Sequence, residues 1–420
     1  MKVHLRSLGC RLNQAEMDAL GRNFLQRGHE LTGDPKHAGE IVVNTCSVTR
    51  EAGADSRALV RELGRRAPTA RITVTGCHAQ LAPQELQSLP NVRRVVGNME
   101  KESIVDLPDA ATPGAAAKLT ERPGMRTRAF VKVQDGCDHA CTFCVTTLAR
   151  GPGRSRPLAE VLAEIRQLHA LDYREAVLSG VQLGSYGRDL GMKQGLAQLL
   201  RAILSETDIP RLRLSSLEPW DLSSDLFDLW QDSRLCRHLH LPLQSGCAAT
   251  LRRMRRRCSP KEFSTLLRDF RARVPHLRVT TDVMVGFPGE DKHEYEISRD
   301  FIARQVLAGL HVFRFSPRPG TPATRMRRQV PESTKRERSA GLRRLGESLA
   351  RDYAREIEGQ TQEVLWEQIA GATPEGFVNV GYTDTWMRVR AIHPRPLSNE
   401  ITSARLGRYH DGEFQATPIL

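Results

Sequence analysis

The tightest constraint on this chain is a run of three cysteines, Cys137-Asp-His-Ala-Cys141-Thr-Phe-Cys144, placed just after a segment that reads as a β-strand. Three thiols spaced this closely can meet at one point only if the backbone closes a small loop. Thiolates are the natural ligands of iron in iron–sulfur clusters. Three of them serve three irons of a 4Fe-4S cube and leave the fourth iron open to a small chelating molecule. The competing reading is a zinc knuckle, which needs a fourth ligand. His139 is a candidate, but it lies inside the loop, where simultaneous ligation is cramped. Placement at the carboxyl end of a barrel strand favours catalysis.

A second set of cysteines is dispersed. Cys10, Cys46 and Cys77 each lie one to three residues beyond a predicted strand, in the stretches SLGC, VVNTC and VTGC. In an open parallel sheet the carboxyl ends of the strands share one edge, where ligands bind. Three cysteines distant in sequence therefore converge, and a second three-thiolate cluster is expected. The alternative is three separate buried thiols, since free cysteine is often buried. Cys236, Cys247 and Cys258 have no such placement and read as ordinary thiols.

The fold expectation is α/β in three parts. Residues 1–107 alternate strands and helices: strands near 2–8, 40–44 and 71–75, a helix capped by Asn13 and running to about Arg27, and a helix over 49–66. This predicts an α/β domain with a parallel sheet. Residues 108–124, rich in Pro, Ala and Gly, read as a linker. Residues 125–357 resume the alternation, with strands near 129–134, 175–180, 211–215, 238–243, 278–285 and 310–315, and a long charged helix over 335–357. Six such units predict a partial (β/α) barrel. Residues 358–420 change to short strands, QEVLWEQ, GFVNVGY, WMRVRAI and GEFQATPI, and predict a small all-β barrel.

Nine cysteines in a chain of 420 residues point to metal or redox chemistry before disulfides. No apolar run approaches the roughly 20 residues that span a bilayer, and the N-terminus lacks a secretory leader. A cytoplasmic protein with no membrane association is expected. The formal net charge is +13. It divides as +3 over residues 1–120, +13 over 121–357 and −3 over 358–420. A surplus concentrated in the middle part favours a polyanionic partner. Arg252, Arg253, Arg255, Arg256 and Arg257 form a basic run with no acid between them, and Arg253, Arg255 and Arg256 are the expected phosphate contacts. A solvated helix face is the usual meaning of such a run.

The motifs then match a family. LGCRLNQAE at 8–16, NTCSVT at 44–49, TGCHAQ at 75–80, GCDHACTFCVTTLARGPGRSR at 136–156, LSGVQLGSYG at 178–187, SSLEP at 215–219, HLPLQSG at 240–246 and DVMVGFPGE at 282–290 occur in order over essentially the whole chain. The sequence resembles the radical S-adenosylmethionine methylthiotransferases. That resemblance implies an N-terminal methylthiotransferase domain, a radical S-adenosylmethionine core and a C-terminal TRAM module. It implies two 4Fe-4S clusters, one on Cys137, Cys141 and Cys144 that reductively cleaves S-adenosylmethionine, and an auxiliary one on Cys10, Cys46 and Cys77 that carries sulfur. It also implies tRNA as partner, an electron donor such as flavodoxin or ferredoxin, and a sulfur source. GCRLNQAE and GCHAQ look most like the branch acting on threonylcarbamoyl-adenosine. The branch acting on isopentenyl-adenosine, and members acting on an aspartate of a ribosomal protein, are the alternatives. One departure stands out: Val145-Thr146-Thr147-Leu148 follows Cys144 where the family usually has an apolar pair, then proline and an aromatic.

Loops at the carboxyl ends of the later strands supply the remaining candidates. Gly180 and Gln182 follow the second barrel strand, Glu218 the third and Gln244 the fourth, and all four are expected to bind the cofactor. Turn and cap roles are the alternatives. No paired carboxylates, nucleophile triad or Walker phosphate loop suggests a hydrolase.

Overall fold

In the computed structural model of the protein, the described residues are 1–106 and 126–419. The expected linker over 108–124 lies outside them, as do both boundary residues, 107 and 125.

The N-terminal strands β1 (Lys2–Ser7), β2 (Glu30–Leu31), β3 (Glu40–Thr45), β4 (Arg71–Gly76) and β5 (Val92–Val95) form one parallel sheet in the order β2-β1-β3-β4-β5. Every residue of β3 is buried, as expected of a central strand covered on both faces. Ile41 and Val43 pack with Val60, Leu63, Ile72 and Val74 on one side, and Val42 packs with Val3, Met17, Leu20 and Phe24 on the other. The helix Arg50–Arg66 starts where expected, because the Thr49 hydroxyl accepts from the Ala52 N–H at 3.1 Å. The first helix, Arg11–Gln26, differs: Cys10 is its N-cap and Asn13 lies inside it. The Asn13 amide instead donates to the carbonyls of Leu8 (2.7 Å) and Thr45 (3.2 Å), fastening two strand ends together.

Six parallel strands follow: β6 (Arg128–Lys132), β9 (Glu175–Ser179), β10 (Arg211–Leu214), β11 (His238–His240), β12 (Arg278–Val285) and β13 (Leu310–Arg314). A short antiparallel pair, β7 (Gln134–Asp135) and β8 (Arg154–Ser155), lies between β6 and β9. The six make two three-stranded sheets, β10-β9-β6 and β11-β12-β13, joined by single bridges at Leu212–Leu235 and Ser216–His240. This is the expected partial barrel, with strands side by side in chain order. The helix Glu332–Ile357 packs against β13.

The last strands, β14 (Thr361–Thr373), β15 (Gly376–Thr383), β16 (Arg388–His393), β17 (Ile401–His410) and β18 (Glu413–Ile419), close a barrel around Trp366, Val389, Leu406 and Phe414. β17 was not expected from sequence. Its fully buried residues are Ala404 and Leu406, with Tyr409 packed beside them, while Ser403, Arg405, Gly407 and Arg408 give the segment the look of a polar loop. Among the described residues, no helix is long and apolar enough to cross a membrane.

The N-terminal sheet meets the barrel through buried charge. Glu16, on the first helix, pairs with Lys101, with Lys132 of β6 at 3.5 Å and with Arg150 at 2.9 Å. Burial alone raises the pKa of the Glu16 carboxyl, but the cations of Lys101, Arg150 and Lys132 outweigh it and hold the group well below the usual carboxylate range. Removing one member of such a network strands the others unpaired. Glu16→Ala should therefore cost about 3–5 kcal/mol, read from denaturant unfolding at neutral pH. Because the folded-state pKa is depressed, this contribution is complete above the unfolded carboxylate value of about 4.3 and is lost as the pH falls below it. The difference between wild type and variant should therefore shrink in acid.

Candidate active site

The loop bearing Cys137, Cys141 and Cys144 is pinched shut by β7 pairing with β8. Gly136 enters the loop at φ +72°, and a Cβ there would overlap the carbonyl oxygen of Pro152. The Cys137 N–H donates to Gly151 O at 3.0 Å, and Cys144 N–H to Cys141 O at 3.1 Å. The far side is anchored by Thr142, whose N–H donates to Met254 O (3.1 Å) and whose hydroxyl donates to Arg253 O (2.9 Å). Two backbone N–H groups point at sulfur: His139 N–H at Cys137 Sγ and Thr146 N–H at Cys144 Sγ, both at 3.4 Å. Thr146, which stands in the departing stretch, also brings its hydroxyl 3.0 Å from Cys144 Sγ. Burial pushes the Cys137 thiol up to about 11, and raises that of Cys141 despite the nearby Arg256. Donor N–H groups and a nearby guanidinium suit anionic sulfur, so the loop fits an iron cluster on chemical grounds.

Of the expected cofactor residues, Gly180, Gln182 and Glu218 lie beside this loop. Gly180 is tightly enclosed: a Cβ there would sit 3.0 Å from Gln134 Oε1 and 3.1 Å from Leu183 Cα. The buried Gln182 takes Gln134 Oε1 on its backbone N–H at 2.8 Å, and Cys137 Sγ lies 3.4 Å from its side-chain oxygen. Its amide nitrogen contacts His139 Nε2 and donates to Asp221 at 3.3 Å. His139 is thus turned toward Gln182 and packs edge-on against Trp220, rather than joining the thiols as a fourth ligand. Glu218 is gripped by both terminal nitrogens of Arg256. Burial raises its pKa, against the pull of Arg256. Gln244, at φ +71°, is fixed by its backbone, donating to Asp282 O and accepting from Met284 N–H, both at 2.8 Å. Gln134, Trp220 and Asp221 lack a motif of their own and were missed from sequence.

Cys10, Cys46 and Cys77 come together at the carboxyl edge of the N-terminal sheet. Cys46 directly follows β3, Cys77 directly follows β4, and Cys10 lies three residues beyond β1. Gly9, at φ +100°, passes so close that a Cβ would lie 2.7 Å from Cys46 Sγ. Burial raises the Cys46 thiol, and the neighbouring Cys77 and Cys10 add to the shift, so the three share one electrostatic neighbourhood. Cys10 is exposed while Cys46 and Cys77 are buried. The helix Cys77–Leu81 packs on the helix Thr146–Arg150, which sets this trio beside the first. Arg318, from the segment after β13, donates to Ser47 Oγ next to Cys46. Cys236, Cys247 and Cys258 are buried, and Cys258 belongs to the barrel core.

The arginine run needs correction. Arg253 is spent on Glu294, the Thr250 hydroxyl and the Pro288 carbonyl. Arg256, its side chain only 3% exposed, is spent on Glu218 and the Pro242 carbonyl. Neither is free for a phosphate. Arg253, within the helix Ala248–Met254, and Arg256, in the turn after it, face these partners, while Arg252, Arg255 and Arg257 are exposed.

Residues 2–97 match the family model described as uncharacterized protein family UPF0004, and residues 131–302 match the radical SAM superfamily. The chain is 34% identical to the threonylcarbamoyladenosine tRNA methylthiotransferase MtaB of Bacillus subtilis strain 168, over 98% of this chain and 96% of that protein. It is 34% identical to the protein of the same name from Thermotoga maritima, over 97% and 93%. A tRNA-2-methylthio-N(6)-dimethylallyladenosine synthase of Geobacillus kaustophilus is 30% identical, over 96% of this chain and 80% of that protein. Among solved structures, the radical S-adenosylmethionine methyltransferase TsrM from Kitasatospora setae superposes with a TM-score of 0.57 at 15% identity, covering 77% of each chain, which shows a shared fold.

Gly136→Ala gives the sharpest test of the loop geometry. The added methyl meets backbone at a left-handed φ, so the variant should lose roughly 1–3 kcal/mol or more, read as a lowered thermal midpoint of the metal-free protein. Gly28→Ala, at φ +78° with open space around the added carbon, should lose less.

Proposed function

The chain belongs to the tRNA methylthiotransferase family of radical S-adenosylmethionine enzymes, and from that premise we propose that it converts threonylcarbamoyl-adenosine beside the tRNA anticodon to its 2-methylthio derivative. The observation that carries this reading is the juxtaposition of two cysteine trios, one at the barrel mouth and one at the sheet edge. A reaction that breaks an inert C–H bond and then inserts sulfur needs both at one place.

Cys137, Cys141 and Cys144 would hold one 4Fe-4S cluster, and Cys10, Cys46 and Cys77 the other. The first cluster, when bound, supplies the electron that cleaves S-adenosylmethionine, and the second supplies an iron on which sulfur is carried. The chain's own residues position what surrounds them. Gly180 lets the backbone turn tightly against Gln134 and Leu183 and so places the loop that meets the cofactor, Gln182 and Gln244 offer amides, and Glu218, held by Arg256, offers a carboxylate to the cofactor's amino or ribose groups. An external one-electron donor of the flavodoxin or ferredoxin class and a sulfur source complete the chemistry, in the cytoplasm where tRNA is found.

RNA contact is assigned to the exposed arginines of the run. Met254 and Arg253 anchor the cysteine loop through their carbonyls, so Arg252, Arg255 and Arg257 stand beside the reaction centre. The C-terminal barrel corresponds to the TRAM module. It carries a net charge of −3 over residues 358–420, so the middle part dominates phosphate binding.

Three measurements test this reading. Anaerobically reconstituted protein should bind about eight irons, and the Cys137, Cys141, Cys144→Ala triple variant about four; full retention in the variant would remove the cluster assignment. Replacing Arg252, Arg255 and Arg257 by Ala should lower the log–log salt slope of tRNA binding by up to about one unit per lost phosphate contact. In competition between tRNAs carrying threonylcarbamoyl- and isopentenyl-adenosine, methylthiolation of the first should dominate. Preference for the second, or activity only on a ribosomal protein, would replace this reading.

A further inference from the structure

The strands β11, β12 and β13 send alternate side chains toward the covering helices and into the hollow of the half-barrel. On β12, Val279, Val283 and Val285 join the core, so Thr280, Asp282 and Met284 take the hollow side. On β13, Leu310 and Val312 pack against the core, and His311 and Phe313 take the opposite side, where both are exposed.

Within that hollow three polar side chains meet. His240 Nε2 lies 3.1 Å, and His311 Nδ1 3.4 Å, from the same oxygen of Asp282. The two imidazoles stack with centroids 4.9 Å apart. The Thr280 hydroxyl fixes His240 from behind, 2.9 Å from its Nδ1. Burial favours the neutral carboxyl of Asp282, but hydrogen bonds and charge from His240 and His311 outweigh it and hold the group well below its ordinary range. On the cysteine side of the hollow stands the Glu218–Arg256 pair, with Arg256 4.0 Å from Cys141 Sγ. Glu218 also feels the like charge of Asp282.

Neither cysteine loop uses this cluster, and the strand pairing does not require it. Titratable groups gathered in a barrel hollow and partnered mainly with one another mark a candidate binding site. His240 is fully engaged, with one nitrogen on Thr280 and the other on Asp282. His311 is not: its side chain is 59% exposed, and with Nδ1 on Asp282 its Nε2 is the nitrogen left for a ligand. Phe313, 45% exposed and two residues along the same face, adds an apolar wall.

We propose that His240, Asp282 and His311 form the subsite that reads the polar substituent on the target adenine, with His311 Nε2 meeting an oxygen of that group and Asp282 holding the imidazole in place. The ligand class is a urea-linked amino acid bearing a carboxylate and a hydroxyl, and the inference rests on the functional reading above. A hydrogen-bonding subsite of this kind rejects an apolar analogue, because the analogue buries its donors and acceptors without partners.

His311→Phe tests this while keeping a ring of similar size on an exposed position. Full-length, cluster-loaded protein should be given anticodon stem-loops carrying threonylcarbamoyl- or isopentenyl-adenosine, with equilibrium binding and kcat/KM measured for each. Iron content and thermal midpoint serve as folding controls. The variant should lose roughly 10–100-fold in affinity for the threonylcarbamoyl form, as expected for one hydrogen bond to a charged group, with little change for the isopentenyl form. His311→Gln, whose terminal amide can occupy the place of Nε2, should recover part of that loss. Unchanged selectivity in His311→Phe, with wild type still preferring the threonylcarbamoyl form, would overturn the subsite alone. A wild type that prefers the isopentenyl form would overturn the functional reading and the subsite with it. Stoichiometric zinc bound by the cluster-free protein and lost in Asp282→Asn would make the trio a metal site instead and overturn the proposal.

Discussion

The arrangement of the whole site depends on one buried guanidinium. Arg150 ends the short helix after Cys144, and its side chain is 2% exposed. It donates to Glu16 and Asp135 at 2.9 Å each and to Asn13 Oδ1 at 2.7 Å. Asp135 lies two residues before Cys137, and Asn13 lies three residues after Cys10. One planar cation therefore ties the neighbourhood of one cysteine trio to that of the other. Its partners fix its orientation, because guanidinium donors form a rigid fork that a point charge cannot imitate.

The interaction works because both loops are themselves stiff. Asn13 fastens the ends of β1 and β3, and its own oxygen accepts from Arg150. Gly136 and Gly76 adopt backbone that a Cβ would obstruct, so each turn has little room to relax. The Asn98 amide adds a further tie by donating to Ala149 O at 2.6 Å. Charge buried at such a junction contributes less to net stability than to a single geometry, since desolvation offsets much of the attraction. Two cysteine trios set side by side depend on that geometry more than on added stability.

Much of this was legible in the sequence because the signals were local. The close spacing of Cys137, Cys141 and Cys144 requires a tight loop. The strand ends before Cys10, Cys46 and Cys77 imply one sheet edge, since parallel strands all present their carboxyl ends to the same side. The arginine run divides for the opposite reason. Consecutive residues around a helix end point in different directions, so Arg253 and Arg256 turn inward to Glu294 and Glu218 while Arg255, between them, stays exposed. Asn13 stands near a helix start, where a cap is expected, yet its partners are carbonyls brought close by the sheet.

By itself, the sequence determined the fold class through periodicity, the closely spaced thiols through their spacing, the dispersed thiols through their places at strand ends, and the family through the order of its motifs. It could not pair Glu16 with Arg150, 134 residues away. Nor could it bring His240, Asp282 and His311 to one point, since they belong to three different strands, and the motifs that open at His240 and Asp282 do not say that the two side chains meet. Those choices were made when parallel strands set their alternating side chains into one hollow and when packing removed water from the junction. Buried polar groups must find partners wherever the fold has placed them, and only the tertiary structure decides which partners are within reach.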